Sequence, residues 1–257
     1  MEAIDLVAFG AGGLILGSFL TVVTHRMPRR ESVVTPRSAC SECGDPIQVQ
    51  DNIPVVSYLL LRGRCRHCGA HISLGYPAIE LATSGLFLAA AIVIRSVVVA
   101  GIVGPFLAVL MACAVIDLRH RIIPNAIVLP SAVLFGAAIG AAALAGYGLH
   151  LVTAVMGSLA LGGGLLAIAM ISPRSLGMGD VKLGGLIGLV MGALGWRYVA
   201  VAAFAAVLLG GVVGIVALAA GKGRKSAIPF GPSLAAGATV AALLAPQVAS
   251  WYGTFLH

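Results

Sequence analysis

Apolar residues in this chain run in long unbroken blocks and do not alternate with polar ones. No Asp, Glu, Lys or Arg occurs in 6–24, 96–116, 122–173, 183–196, 198–221 or 226–257, and the block 75–94 is interrupted only by Glu80. A helix needs roughly 20 mostly apolar residues to cross about 30 Å of hydrocarbon. The block 122–173 is long enough for two such helices, with a break near Gly146–His150. The pattern therefore predicts eight helices, at about 5–24, 76–95, 98–117, 125–145, 150–171, 180–196, 199–220 and 233–254.

Composition supports the same picture. Of 257 residues, 60% are hydrophobic, 34 are glycine and only 10% are charged. A soluble domain carries about 25% charged residues, so these side chains cannot cover a surface that faces water. Disorder is excluded for the same reason. The fold class is all-α, a polytopic membrane protein. Eight spans sort the basic residues sharply. Arg26, Arg29, Arg30, Arg37, Arg62, Arg64, Arg66, Arg119, Arg121, Arg174, Lys182, Lys222, Arg224 and Lys225 fall on one side, 14 of 16, and only Arg95 and Arg197 on the other. The basic side is expected to be cytoplasmic, with both termini outside. The first span has an acidic front (Glu2, Asp5) and is read as an anchor, since a cleavable leader would be basic there. The net charge of +7 is spread over four loops, which argues against a nucleic-acid role. No convincing internal repeat is visible. Small residues four apart, Gly13/Gly17, Gly136/Gly140, Gly184/Gly188/Gly192 and Gly210/Gly214, predict close helix packing. The chain divides into a first helix (1–24), a cytoplasmic loop (25–75) and a helical core (76–257).

That loop holds Cys40-Ser-Glu-Cys43 and Cys65-Arg-His-Cys68. Each pair can place two thiolates on one turn, and two turns can close a tetrahedron around zinc. Two disulfides or four free thiols are the alternatives; a reducing cytoplasmic side favours the metal. A loop this small has little core of its own, so a metal would supply folding energy. His67 and His71 are not expected to be ligands, because four thiolates fill the site. Cys113 is expected to be a packing residue.

Ionisable groups at membrane depth are costly and are functional candidates. Glu80, Asp117 and Asp180 qualify. Asp117 closes the third helix and Asp180 opens the sixth, both at the cytoplasmic end, so packing can bring them together. Each has an ordinary alternative: Asp180 as an N-cap, Asp117 as a partner of Arg119, His120 or Arg121. Gly177 and Gly179 beside Asp180 leave room for another backbone to approach, which capping alone does not require. Two adjacent aspartates share a proton. The ionised one can activate water while the protonated one donates to a carbonyl oxygen, and this hydrolyses a peptide bond.

These residues resemble a known family. Gly17–Val23 with His25-Arg26-Met27-Pro28, Asn52–Tyr58, Arg62-Gly63-Arg64-Cys65, Tyr76-Pro77, Glu80, Asp117 through Asn125, Gly177–Leu183 and Pro229-Phe230-Gly231-Pro232 are similar, in order, to the bacterial prepilin peptidases, intramembrane aspartic proteases of the GxGD type. Thr21 departs from the asparagine common there. The resemblance implies cleavage of type IV prepilins and pseudopilins after a glycine, at the cytoplasmic face of the inner membrane. Asp117 and Asp180 would be catalytic, with Gly177, Gly179, Lys182 and Glu80 contacting substrate. The four cysteines accompany members that also methylate the new amino terminus with S-adenosylmethionine. Expected partners are the prepilins and membrane lipid, with no nucleic acid. Alternatives are another GxGD protease without methylation, or a proton-coupled transporter that relays through Asp117, Asp180 and Glu80.

Overall fold

A computed structural model describes residues 1–172, 176–221 and 229–254, with side chains described up to 245. Arg174, Lys222, Arg224 and Lys225 of the basic set lie outside the described residues. All eight predicted helices are present: α1 (Ala3–Arg26), α3 (Gly75–Ile94), α4 (Val97–His120), α5 (Asn125–Leu144), α6 (Leu151–Ile171), α7 (Met178–Leu194), α8 (Trp196–Ala219) and α9 (Gly231–Thr254). A short helix, α2 (Val56–Leu60), lies in the long loop. No strand forms among the described residues; two isolated bridges occur in the loop.

Six helices (α1, α3, α4, α5, α6 and α8) are each long and apolar enough to cross a membrane. The seventh, α7, has only 17 residues, about 25 Å at 1.5 Å per residue. Most of its length is enclosed by neighbouring helices, and Leu183, Leu186, Ile187, Val190 and Met191 are all buried. The outward faces of α6 and α8 carry bare Val152, Leu159, Phe204, Val207 and Ile215. Such surface is stable against lipid and costly against water.

Helix ends follow local chemistry. Ser96 caps α4 by accepting the Val99 N–H, 3.4 Å. Arg121, in the left-handed region, ends α4 by donating its N–H to the Asp117 carbonyl, 2.8 Å. Pro124 then starts α5, since its fixed φ suits a helix entrance. Gly195 at φ +126 separates α7 from α8, so α8 begins at Trp196, earlier than the sequence pattern suggests.

The core is built on α4, which packs against α1, α3, α5 and α9, and on α7, which packs against α5, α6, α8 and α9. Phe106, Leu107, Leu110 and Ile116 of α4 are fully buried, and Cys113 among them is a packing residue as expected. Glycines set the closest approaches. A Cβ on Gly13 would lie 2.6 Å from Ser84 Cα, and one on Gly17 would lie 2.7 Å from Glu80 Cα, so α1 lies directly on α3. Gly188 meets the carbonyl of Gly157, and Gly192 that of Thr153, where α6 crosses α7. The Gly136/Gly140 pair does not do this: a Cβ on Gly140 meets nothing within 4 Å. A Cβ on Gly136 would meet only Leu189 Cδ2 of α7, at an ordinary 3.9 Å, so neither glycine sets a close approach.

Candidate active site and metal centre

The α7 entrance is formed by Gly177 as N-cap, and Asp180 stands three residues inside. Asp180 therefore does not occupy the N-cap. Its Oδ2 reaches back to accept the Gly177 N–H at 3.2 Å, which satisfies one of the free donors of the helix start. Its Oδ1 is buried with no hydrogen-bond partner among the described residues. Such an atom is costly unless something else occupies the site.

Asp117 is 5% exposed and one turn from the end of α4. Its Oδ2 accepts the Gly231 N–H at 3.1 Å, across 114 residues of sequence. It makes no ion pair with Arg119, His120 or Arg121. A Cβ on Gly231 would lie 2.6 Å from Asp117 Oδ2, so only glycine lets this backbone reach the carboxylate. Gly231 came into the sequence reading only as part of a motif; a backbone donor carries no side-chain signal.

Ile123, in the α4–α5 connection, joins the two aspartates. A Cβ on Gly179 would lie 2.9 Å from Ile123 Cβ, and one on Gly231 would lie 3.2 Å from Ile123 Cδ1. The backbone beside Asp180 and the backbone that holds Asp117 thus rest on one side chain. Lys182 Nζ donates to Asn125 Oδ1 at 2.9 Å and ties α7 to the first turn of α5. Gly177, Gly179 and Lys182 accordingly gather with Asp117 and Asp180. Glu80 does not join them. It hydrogen-bonds Val55 N–H at 2.8 Å and lines a separate groove of about 980 Å³ under the long loop, whose walls include neither aspartate.

The loop brings the four cysteines together, with all four Sγ atoms within 4.8 Å of one another. Cys40 and Cys68 Sγ lie 3.8 Å apart. Four sulfurs at about 2.3 Å from one zinc ion would lie about 3.8 Å from each other. All four are free, which removes the disulfide alternative for this conformation. The two turns share one hydrogen-bond pattern. Cys40 N–H donates to Asp45 O, Gly44 N–H to Cys40 O and Ile47 N–H to Ser38 O; Cys65, Gly69 and Ile72 repeat this onto Ala70, Cys65 and Gly63. Gly44 at φ +75 and Gly69 at φ +72 supply the left-handed residue that closes each turn. This is a short internal repeat that the sequence reading missed, because the two segments agree only at the cysteines, the glycine and a terminal isoleucine.

Backbone N–H groups of Cys43 and Glu42 hold the Cys40 thiol down to about 7. Cys43 receives the Asp45 N–H, yet burial and the neighbouring thiols push it up to about 12. Crowded sulfurs cannot all ionise without a cation between them, so this donor set fits a soft divalent ion. His67 stands 3.9 Å from Asp45 and outside the cluster. Arg66 reaches back to Asp51 with two hydrogen bonds, 2.8 and 2.5 Å, and so ties the second turn to the middle of the loop.

Comparison with known proteins agrees with this arrangement. The Bacterial Peptidase A24 N-terminal domain matches residues 12–94, and the Type IV leader peptidase family matches residues 104–215. A prepilin leader peptidase/N-methyltransferase of Bacillus subtilis (strain 168) is 35% identical over 93% of this chain and 94% of its own length. One from Aeromonas hydrophila is 33% identical over 94% of this chain and 91% of its own. A type 4 prepilin-like proteins leader peptide-processing enzyme of Escherichia coli O78:H11 is 35% identical over 88% and 89%. No solved structure matches. Two carboxylates on α4 and α7 whose surroundings meet at Ile123, a four-thiol loop and these matches along nearly the whole chain agree: it belongs to the type IV prepilin leader peptidase family.

Proposed function

We propose that this chain removes the basic leader of type IV prepilins and pseudopilins after a glycine, at the cytoplasmic face of the bacterial inner membrane. It then methylates the freed amino terminus. Asp117 and Asp180 are the catalytic pair. One carboxylate takes a proton from water, and the resulting hydroxyl adds to the scissile carbonyl carbon. The other donates a proton to the carbonyl oxygen. Breakdown of the tetrahedral intermediate passes a proton to the departing nitrogen as the C–N bond breaks. The Gly231 N–H orients Asp117, and the N-cap bond orients Asp180. Gly177 leaves space for the substrate backbone, Gly179 lets Ile123 pack beside Asp180, and Lys182 ties α7 to α5 through Asn125.

The observation that carries this reading is the buried Oδ1 of Asp180, without a partner among the described residues, in a site whose walls meet Asp117 through Ile123 and Gly231. Cys40, Cys43, Cys65 and Cys68 would hold zinc in a closed structural site that orders residues 25–75. S-adenosylmethionine would supply an electrophilic methyl group. The groove that holds Glu80, at about 980 Å³, is of the size that accommodates such a ligand. In this reading 1–24 is the first transmembrane helix, 25–75 the cytoplasmic loop with the metal site and 76–257 the peptidase core, and the excess of basic residues in the alternate loops supports both termini lying on the side opposite the cytoplasm.

The test is mass spectrometry of a purified prepilin incubated with the enzyme and methyl donor. The expected product lacks its leader up to the glycine and has gained one methyl group. With Asp117→Asn or Asp180→Asn the substrate should stay intact. Full cleavage by either variant removes the aspartic mechanism.

A further inference from the structure

Glu80 is a buried acid that proteolysis leaves without a task. It is 7% exposed, and Gly17 of α1 rests directly on its Cα. One oxygen accepts the Val55 N–H; the other meets no donor among the described residues. No Lys, Arg or His stands within ion-pair distance among them; the ion pairs found are Arg66–Asp51 and His67–Asp45. Glu80 lines the groove under the loop, and its second oxygen has neither a cation nor a donor beside it among the described residues, so it is open to an incoming donor.

The turn that supplies this N–H is itself held in an unfavourable shape. Val55 lies at φ +61, ψ −47, a region that a β-branched residue rarely enters. That conformation turns its N–H onto Glu80. The groove around the pair has two kinds of wall. Asn52, Ser57 and Tyr58 are polar or amphipathic, while Ile15, Phe19 and Val22 form an apolar face on α1. With Ser18, these α1 positions follow the spacing of one helix stripe, and Ile15 and Phe19 are exposed.

We propose that Glu80, set by the Val55 turn, is the seat for the α-ammonium of a peptide whose first residues are apolar. Resting on the peptidase reading above, that peptide is the new amino terminus released by leader cleavage. Its charge pairs with the unoccupied carboxylate oxygen, while its apolar residues run along Ile15, Phe19 and Val22. The same carboxylate could also take the ammonium of the methyl donor's amino-acid end. The apolar α1 stripe beside Glu80 favours the peptide.

The experiment uses the full-length, zinc-loaded protein in detergent. It compares anisotropy binding of a C-terminally labelled apolar peptide bearing a free amino terminus with its N-acetylated twin, and separately measures S-adenosylhomocysteine. The wild type should prefer the free amine by tenfold or more. Glu80→Gln should erase that preference and change S-adenosylhomocysteine binding by less than threefold. A preference retained in Glu80→Gln overturns the proposal. So does a loss that falls on S-adenosylhomocysteine, which would give the seat to the methyl donor. Should the variant fail to fold, judged by zinc content and thermal melting, a wild-type cross-link decides. A photoreactive first residue should label positions 15–22 or 53–58, and labelling elsewhere overturns the assignment. Prepilin cleavage by the wild type, run in parallel, tests the peptidase reading separately.

Discussion

Gly179→Ala should damage catalysis much more than Gly177→Ala, although the two glycines flank the same residue. A methyl at position 179 would lie 2.9 Å from Ile123 Cβ and 3.5 Å from Ile123 Cγ1. Carbon atoms rest at about 3.5–4.0 Å, so the two must separate by about 0.6–1 Å. Ile123 has little room to retreat, because Gly231 approaches it from another direction and Pro124 follows it in the chain. The first turn of α7, with Asp180, must therefore shift. A displacement near 1 Å at a reacting group costs on the order of 10²-fold. Gly179→Ala should thus lower kcat/KM for leader removal by about 10- to 100-fold. Gly177 lies at φ −82, and a methyl there would approach only the Asp180 Oδ2, at 3.4 Å, and the Gly179 nitrogen, at 3.9 Å. Its cost is that of alanine in place of glycine at an N-cap, a few-fold at most in rate. Initial rates on a purified prepilin, with thermal melting of each variant as a folding control, measure both. Activity of Gly179→Ala within threefold of wild type, or equal damage from Gly177→Ala, would refute the packing argument.

Cys40→Ser or Cys65→Ser should reduce bound zinc from one equivalent to none by elemental analysis and expose residues 25–75 to protease; full metal retention would count against the site. Gly188→Ala should destabilise the α6–α7 crossing by about 1–3 kcal/mol, because the methyl would meet the Gly157 carbonyl carbon at 2.6 Å; unfolding in detergent reads this out, and an unchanged midpoint contradicts it. The Arg66 guanidinium, through its hydrogen bonds, holds the Asp51 carboxyl below the usual carboxylate range. A depressed folded value means that the pair stabilises the loop above about pH 4 and loses this as pH falls through the lower folded value. Pepsin cleavage of the loop should accordingly set in at a higher pH for Arg66→Ala than for wild type, and an unshifted onset contradicts the pairing.

The helices were legible because hydrophobic length alone announces a span, and all eight appear near their expected places. The ends were less so. The α7 entrance moved forward because Gly177 serves as the N-cap, and Asp180 three residues inside makes the reciprocal bond. Two aspartates at one depth could be read from the chain, and so could four thiols on two turns. What joins them could not. Gly231 acts through its backbone, Ile123 through bulk alone, and Val55 through a positive φ that valine does not announce. The Gly136/Gly140 pair shows the opposite failure: small residues four apart permit a close approach without bringing one about, and here a Cβ on Gly136 would only touch the Leu189 side chain at 3.9 Å. Glu80 could be read as a functional acid, but not where it acts; its helix carries it to the groove under the loop, away from both aspartates.

The central claim is that Asp117 and Asp180 act as a unit on one water molecule. Leader-cleavage rates of Asp117→Asn, Asp180→Asn and the double variant, with folding verified by zinc content, test it most directly. Groups that act as a unit are not additive, so each single variant should fall to background and the double variant should lose nothing further. A single variant retaining a tenth of wild-type activity, or a double variant whose loss is the product of the two singles, would contradict it.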